Sequence, residues 1–159
     1  MAIRKIGCIN VLEHPVGSNS YVLVEETKNK KRGLFNLPGG KQNYIDGHEE
    51  NLFEAAIRET EEETGLKTEL IGFLGLFDYH QDEKLHVAFV AKAIGGSLKT
   101  SEIHPTVESF PFHAIEDYLN TENMLRSPRV MSAIKQYQLG HILPLSSVSI
   151  NDTDFVISD

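Results

Sequence analysis

The sequence has one cysteine, no tryptophan and no long run of apolar residues. A single thiol, that of Cys8, excludes a disulfide within the chain, and no grouping of cysteine and histidine predicts a zinc site. Gly7 and Asn10 interrupt the apolar stretch that would have to follow Arg4 and Lys5 in a secretory signal peptide. No segment approaches the roughly 20 apolar residues of a transmembrane helix. We therefore expect a cytoplasmic protein with no membrane partner.

Basic residues are also scarce, because 15 lysines and arginines stand against 23 acidic residues, a formal net charge of −8. Binding to the backbone of a nucleic-acid polymer needs a basic surface, so no such partner is expected. A small phosphorylated substrate remains compatible, since bound metal ions can reverse the local charge of a site. With 159 residues, 40% of them hydrophobic, the chain can bury one sizeable core.

The acidic residues are concentrated in segment 58–66. Residues three and four apart share a face of a helix, so Glu59, Glu62 and Glu63 are predicted to converge while Glu61 points elsewhere. Like charges at this spacing cost a few tenths of a kcal/mol per exposed pair. The repulsion disappears when the oxygens coordinate Mg²⁺ or Mn²⁺, which prefer oxygen ligands. A solvated acidic face is the alternative, and the spacing favours the metal cluster.

From Glu50 onward the segment resembles the Nudix box: a glutamate, seven residues, then Arg-Glu-apolar-x-Glu-Glu-x-Gly-apolar. Two positions differ from that pattern. The glycine expected six positions before the first glutamate is Tyr44, while Gly40 lies ten before it, which indicates a four-residue insertion. The apolar position after Arg-Glu is Thr60, predicted to be buried and to bond back to a carbonyl one turn earlier. The predicted buried stripe of this helix consists of Phe53, Ile57, Thr60 and Thr64.

Strands around one central helix, with a second helix late in the chain, predict an α/β fold. The resemblance implies a Nudix-type α/β/α sandwich with a mixed central sheet. Strands are predicted at 6–12, 21–25, 33–37, 70–79, 85–93 and 107–112, and a short helix at 114–119. The domain is predicted to cover 1–145, followed by a partly ordered tail at 146–159.

Helix boundaries are predicted from capping residues. Asp46 followed by Glu49 is a helix-start signature, and Gly65 is a stop signal, so these residues bracket the helix that carries the acidic cluster. Ser127 is the predicted cap of the last helix and Gly140 its stop. A polar loop at 80–83 is predicted to join the two long strands.

The resemblance implies hydrolysis of a diphosphate linked to another group, by attack of a metal-activated water on phosphorus. It assigns Glu59, Glu62 and Glu63 to Mg²⁺ or Mn²⁺, with the backbone carbonyl of Gly40 as a further ligand. It also implies that Arg58 orients the glutamates through charge-assisted hydrogen bonds. The catalytic set is therefore predicted to be Glu59, Glu62 and Arg58.

The general base varies within the family, so several carboxylates are candidates. Glu62 is favoured, and Glu108 and Glu102, in the later strand and loop, are the alternatives.

Segments outside the box, namely 24–27, Asn36-x-Pro-x-Gly and 125–145, are similar to the Nudix phosphatase branch called NudJ. That branch is known for phosphate release from nucleoside di- and triphosphates and from thiamine pyrophosphates. Three hypotheses follow: a phosphatase of that kind, a pyrophosphatase for ADP-ribose or another nucleoside diphosphate sugar, and a non-catalytic ligand-sensing or binding module. A homodimer is expected by analogy with other proteins of this fold.

Five further residues are candidates for substrate binding. Arg126 and Arg129 lie where the resemblance implies contact with a phosphate, and the alternative is a surface cap on nearby carboxylates. Phe35 and Tyr79 offer stacking faces, although core packing is the more frequent use of aromatics in strands. His86 is either a substrate contact or a hydrogen-bonded core histidine.

Overall fold

The structure, a computed structural model, describes residues 5–28, 31–79 and 84–150. The loop predicted at 80–83 and the tail residues 151–159 lie outside the described residues. Within the described part of the chain, no helix is long and apolar enough to cross a membrane.

Among the described residues, six strands precede the first helix and three strands follow it. The strands are β1 (Lys5–Leu12), β2 (Ser20–Glu25), β3 (Phe35–Asn36), β4 (Gly39–Gly40), β5 (Tyr44–Ile45), β6 (His48–Glu49), β7 (Leu66–Phe77), β8 (Lys84–Gly96) and β9 (Val107–Pro111). The helices are α1 (Leu52–Thr64), α2 (Phe112–Ala114) continued by a π-helical turn (Ile115–Asn120), α3 (Arg129–Gln138) and a 3₁₀ turn (Leu145–Ser147).

The main sheet has four strands in the order β4-β1-β8-β7. β1 runs parallel to β8 and antiparallel to β4, and β7 runs antiparallel to β8, so the sheet is mixed. A second sheet has the order β3-β2-β9. The pairing of β1 with β4 brings Gly39 and Gly40 beside Ile9 and Cys8, and so places the loop after β4 next to α1.

Side-chain alternation along β1 explains why helices cover both faces of the main sheet. Cys8 packs in a core cluster with Ala55 and Ala56 of α1. The next residue, Ile9, and then Val11 pack on the opposite face in a cluster with buried residues of α3. The predicted α/β/α sandwich with a mixed sheet is therefore confirmed.

The predicted start of the central helix is wrong. Asp46 and Gly47 have φ values of 50° and 87° and form the turn between β5 and β6, as an Asp-Gly pair favours. The helix begins at Leu52, where the Asn51 side chain accepts from the Glu54 amide and the Glu54 carboxylate accepts from the Asn51 amide, both at 2.9 Å. The loop insertion predicted from the sequence is thus a β-hairpin.

The two predicted glycine stops lie where expected. Gly65 caps α1 in the left-handed conformation at φ 79°, and its amide donates to Glu61 O. Gly140, at φ 72°, follows α3. The long strands exceed their predicted lengths, because β7 already pairs with β8 at Leu66, opposite Gly96.

The chain after α3 lies along β7. Phe73 and Leu143 exchange backbone hydrogen bonds of 2.8 Å in both directions. Leu145 and Val148 then pack against the cluster beneath α1. The described part of the predicted tail therefore contacts the domain through Val148.

Candidate active site

Arg58, in the middle of α1, is the centre of a charged network. Its Nε donates to Glu50 Oε1 at 2.6 Å and its Nη2 to Glu50 Oε2 at 3.0 Å, a bidentate pair. Glu50 is only 5% exposed and also accepts from the Asn43 amide at 3.0 Å. The Arg58 hydrogen bonds hold the pKa of Glu50 below its ordinary value. The first glutamate of the box is thus bound to Arg58 in this structure.

The same guanidinium reaches the carboxylates predicted to bind metal. Nη1 donates to Glu62 Oε2 at 2.9 Å, and Nη2 donates to Glu59 Oε1 at 3.2 Å. A further bond of 3.1 Å joins Nη2 to the carbonyl of Lys41. Glu62, with a side chain 58% exposed, therefore lies at the solvent edge of the cluster, held towards Arg58.

Glu59 and Glu63 lie on the two sides of Gly40. The amide of Gly39 donates to Glu63 Oε2 at 3.2 Å, and the amide of Lys41 donates to Glu59 Oε1 at 3.3 Å. A Cβ added to Gly40 would lie 2.1 Å from the Glu59 carboxyl carbon. Glycine at this position thus leaves the space that the Glu59 carboxylate occupies.

The surroundings of Glu63 shift its pKa. Burial raises its pKa well above the ordinary value, and the charges of Glu59, Glu26 and Glu62 raise it further. Carboxylates close to one half-buried point repel each other unless a proton or a cation compensates their charge. The electrostatics of this point therefore favour a bound cation.

The donors present fit a divalent metal chemically, since carboxylate and carbonyl oxygens suit Mg²⁺ and Mn²⁺. Among the described residues, no three histidine, cysteine, aspartate or glutamate side chains already surround a single metal position. Glu59 and Glu63 flank Gly40, whereas Glu62 faces Arg58. An ion held by all three glutamates therefore requires Glu62 to turn away from Arg58.

His104 belongs to this site, although the sequence offered no spacing signal for it. Its Nε2 lies 3.8 Å from Glu63 Oε1, and its Nδ1 lies 2.9 Å from the carbonyl of Glu25. Glu26 also adjoins Glu63 and accepts from Asn36 Nδ2 at 3.1 Å. Glu25, Glu26 and Asn36 come from the two segments, 24–27 and Asn36-x-Pro-x-Gly, that the sequence singled out without assigning them a role. His104 comes from the loop before β9.

The alternative general bases lie apart from this network. Glu102 and Glu108 are exposed, and within the described ranges neither makes a hydrogen bond or ion pair with α1. The loop that contains Glu102 presents His104 to Glu63 instead. Their role stays a prediction.

Three of the predicted substrate contacts lie in packed surroundings. Phe35 is 8% exposed and meets Phe110 edge to face, with ring centroids 5.2 Å apart. The Tyr79 hydroxyl donates to Ser132 Oγ at 2.9 Å, and the ring packs against the core. His86 is buried in β8. Core packing thus accounts for the observed surroundings of Phe35 and Tyr79, and contact of all three residues with a substrate stays a prediction.

The two predicted phosphate-binding arginines lie at the start of α3. The amide of Arg126 donates to the carbonyl of Phe35 at 2.7 Å, which joins this segment to β3. Arg129 is the first residue of α3, and its amide donates to Ser127 Oγ at 3.2 Å. Arg129 is only 2% exposed, so its side chain is not a surface cap.

Beside the network, an open groove of about 590 Å³ runs along the solvent side of α1. It is lined by Glu54, Ile57, Arg58, Glu61 and Glu62. Ile57, which was predicted to belong to the buried stripe, is therefore only partly covered. The buried residues of α1 are Ala55, Ala56, Thr60 and Thr64.

A model of the NUDIX domain matches residues 4–133, which is most of the chain. The chain belongs to the Nudix family. The protein is therefore an enzyme of the Nudix hydrolase class, as the box predicted.

Curated relatives agree with this assignment. The Nudix chain is 31% identical over 134 residues to Phosphatase NudJ of Escherichia coli, which covers 80% of this chain and 81% of NudJ. It is 30% identical over 120 residues to an ADP-ribose pyrophosphatase of Methanocaldococcus jannaschii, covering 66% of this chain and 69% of the relative. It spans only 41% of the length of Nudix hydrolase 6 of Arabidopsis thaliana, at 27% identity.

Solved structures share the fold. A NUDIX hydrolase from Nitrosomonas europaea superposes with a TM-score of 0.78 at 23% identity, covering 94% of this chain and 99% of the other. The Nudix fold is thereby established independently of the box.

Proposed function

We propose that this protein is a divalent-metal-dependent hydrolase that releases phosphate from nucleoside di- or triphosphates or from a related pyrophosphate such as thiamine pyrophosphate. The observation that carries the proposal is the placement of Glu59 and Glu63 on either side of Gly40, with Glu62 one turn away on the same helix. Similarity to Phosphatase NudJ over four-fifths of the chain supports the substrate class.

Each residue of the site has a part in this proposal. Mg²⁺ or Mn²⁺ held by Glu59, Glu62, Glu63 and the Gly40 carbonyl would neutralise phosphate charge and lower the pKa of a bound water. Arg58 holds Glu59 in position through its guanidinium, and it holds Glu62 until that carboxylate turns to the ion. Glu62 is the preferred general base, because it is the most exposed of the three glutamates and borders the open groove.

The start of α3 is the proposed phosphate contact. Arg126 is half-buried and its backbone is bonded to β3, which also carries Asn36 next to Glu26. Arg129 is buried at the first turn of α3, where its guanidinium adds positive charge to an otherwise acidic protein. We propose that these two arginines attract the phosphates of the substrate.

Hydrolysis of ADP-ribose or another nucleoside diphosphate sugar is the second candidate. The 30% identity to an ADP-ribose pyrophosphatase favours it. The two functions differ in the bond that is cut, since a phosphatase releases orthophosphate whereas the other enzyme breaks an internal linkage.

The deciding experiment measures products from nucleoside tri- and diphosphates, thiamine pyrophosphate and ADP-ribose in the presence of Mg²⁺. The wild type is compared with Glu62→Gln, and Glu61→Gln is the matched control because Glu61 lines the same groove without bonding to Arg58. We expect orthophosphate release that Glu62→Gln loses by at least about 10²-fold and Glu61→Gln retains. AMP as the main product from ADP-ribose would favour the second candidate. Equal activity of the two variants would contradict the role of Glu62.

A further inference from the structure

The loop before β9 is fastened to the end of β2 by hydrogen bonds from both segments. The Thr27 hydroxyl donates to Ile103 O at 2.7 Å, and His104 Nδ1 lies 2.9 Å from Glu25 O. Within the loop, the Ser101 amide donates to His104 O at 2.8 Å, and Ser101 Oγ accepts from the His104 amide at 3.0 Å. His104, 9% exposed, is therefore held in one orientation before any ligand arrives.

The bond to Glu25 determines which ring nitrogen of His104 carries hydrogen. A carbonyl oxygen can only accept, so Nδ1 is the donor, and in the neutral ring Nε2 presents its lone pair. That lone pair lies on the side of Glu63, whose Oε1 is 3.8 Å away. A separation of 3.8 Å is too long for a direct hydrogen bond, and a cation between the two atoms would satisfy both.

The geometry matches a shared metal ion. Histidines that bind metals usually donate their other ring N–H to a carbonyl or carboxylate, as His104 does. Ligand atoms each about 2.1 Å from an ion lie at most about 4.2 Å apart, so a separation of 3.8 Å is within reach of one ion. Glu63 Oε2 is already bonded to the Gly39 amide, which leaves Oε1 for the ion.

We propose that His104 supplies a nitrogen ligand, through Nε2, to a divalent cation held with Glu63, and that this ligand makes the site prefer a first-row transition metal to Mg²⁺. Imidazole binds transition metals much better than it binds Mg²⁺, which demands oxygen. The inference rests on the proposed function, because it takes the metal centre at Glu63 as given. It extends that function by adding a ligand from outside the box and by specifying the kind of metal.

The test uses the full chain and Mn²⁺ as a paramagnetic probe. Mn²⁺ binding is followed by electron paramagnetic resonance, and pulsed measurements detect nitrogen-14 coupled to the bound ion. We expect nitrogen coupling in the wild type and its loss in His104→Gln. Mn²⁺ affinity should fall about tenfold or more in that variant, with a smaller change for Mg²⁺ measured by displacement. His141→Gln is the control, because His141 is exposed and its Nδ1 lies 2.8 Å from Gln136 Oε1, outside the segments that form the site.

The outcomes separate this inference from the proposed function. Bound Mn²⁺ without nitrogen coupling in the wild type overturns the role of His104 and leaves the metal-dependent hydrolase intact. Coupling that persists in His104→Gln overturns it equally. No Mn²⁺ binding by the wild type overturns the metal centre itself, and with it both proposals. If His104→Gln fails to fold, which circular dichroism would reveal, a wild-type spectrum without nitrogen coupling still overturns the role of His104.

Discussion

Alanine substitution should affect the two adjacent glycines, Gly39 and Gly40, differently. In Gly40→Ala the new Cβ would lie 2.1 Å from the Glu59 carboxyl carbon, against at least 3.4 Å in ordinary contact, so the carboxylate must move by more than about 1 Å. In Gly39→Ala the new Cβ would lie 2.1 Å from Cys8 O and 2.8 Å from Ile9 Cα. The first obstacle is the end of a flexible side chain, whereas the second is the backbone of a paired strand.

The expected magnitudes follow from what has to move. Displacing Glu59 breaks its bonds to Lys41 and Arg58, each worth about 0.5–1.5 kcal/mol, while replacing glycine returns about 0.4–1 kcal/mol through the unfolded state. Gly40→Ala should therefore lower the free energy of unfolding by about 0–2.6 kcal/mol. Misplacing a catalytic group by about 1 Å costs roughly 10²-fold in kcat/KM, or about 2.7 kcal/mol.

Gly39→Ala should lose more stability than Gly40→Ala, because the obstacle is backbone. The Cβ cannot avoid the β1 backbone, so the pairing of β1 with β4 must open, at a cost of at least about 2 kcal/mol from overpacking and lost hydrogen bonds. Gly95→Ala is the control, because the new Cβ would meet only the Lys67 side chain at 3.9 Å.

Urea unfolding and kcat/KM with the best substrate, both in Mg²⁺, measure the two effects. A wild-type kcat/KM in folded Gly40→Ala would contradict the role of the space beside Glu59. An equal loss of stability in the two glycine variants would contradict the distinction between side-chain and backbone obstacles.

Three further predictions concern single buried groups. The pKa of Glu50 is lowered in the folded protein, so the stability that Glu50 contributes is present above its ordinary pKa of 4.5 and is lost as the pH falls through the lower folded value. Urea unfolding should therefore show that the difference in unfolding free energy between wild type and Glu50→Gln becomes smaller from pH 6 to pH 3.5. A constant difference would contradict this. Burial raises the pKa of the Cys8 thiol to about 11. A disulfide reagent at pH 8 should therefore react about 10²-fold more slowly with the native protein than with the urea-unfolded protein. Equal rates would contradict this prediction. Thr60→Val removes the 2.7 Å hydrogen bond that the Asn10 side-chain amide donates, and it should lower the free energy of unfolding in urea by about 1–2 kcal/mol. Thr68→Val is the control and should cost little, because Thr68 Oγ1 has no hydrogen-bond partner among the described residues. A smaller loss of stability for Thr60→Val than for Thr68→Val would contradict this.

Thr60 makes one hydrogen bond that could be predicted from the local sequence and one that could not. Its back-bond to Ala56 O, at 2.9 Å, was predictable because it depends only on helix geometry. The second bond, from Asn10 at 2.7 Å, was not, because it joins residues 50 positions apart. Asn10 gives the physical reason why a hydroxyl replaces the usual apolar side chain, since the amide needs a buried acceptor.

The helix start was wrong for a related reason. Asp46 satisfies a capping pattern when considered alone, yet the following Gly47 adopts a positive φ and turns the chain into a hairpin. Asn51 and Glu54 form a reciprocal capping box immediately before the apolar residues of α1. Two overlapping start signals compete, and strand pairing of β5 with β6 decides between them.

The family, the mixed α/β sandwich and the helical spacing of Glu59, Glu62 and Glu63 could all be predicted without coordinates, because hydrophobic periodicity and the box are local patterns. Tertiary structure alone decided that Glu50 is bound to Arg58, that Gly40 lies against Glu59 and that His104 faces Glu63. These contacts join segments 8 to 41 residues apart along the chain, as the residue numbers show. These contacts form because the β5–β6 hairpin, the paired strands β1 and β4 and the loop before β9 pack around α1. No local pattern specifies that packing.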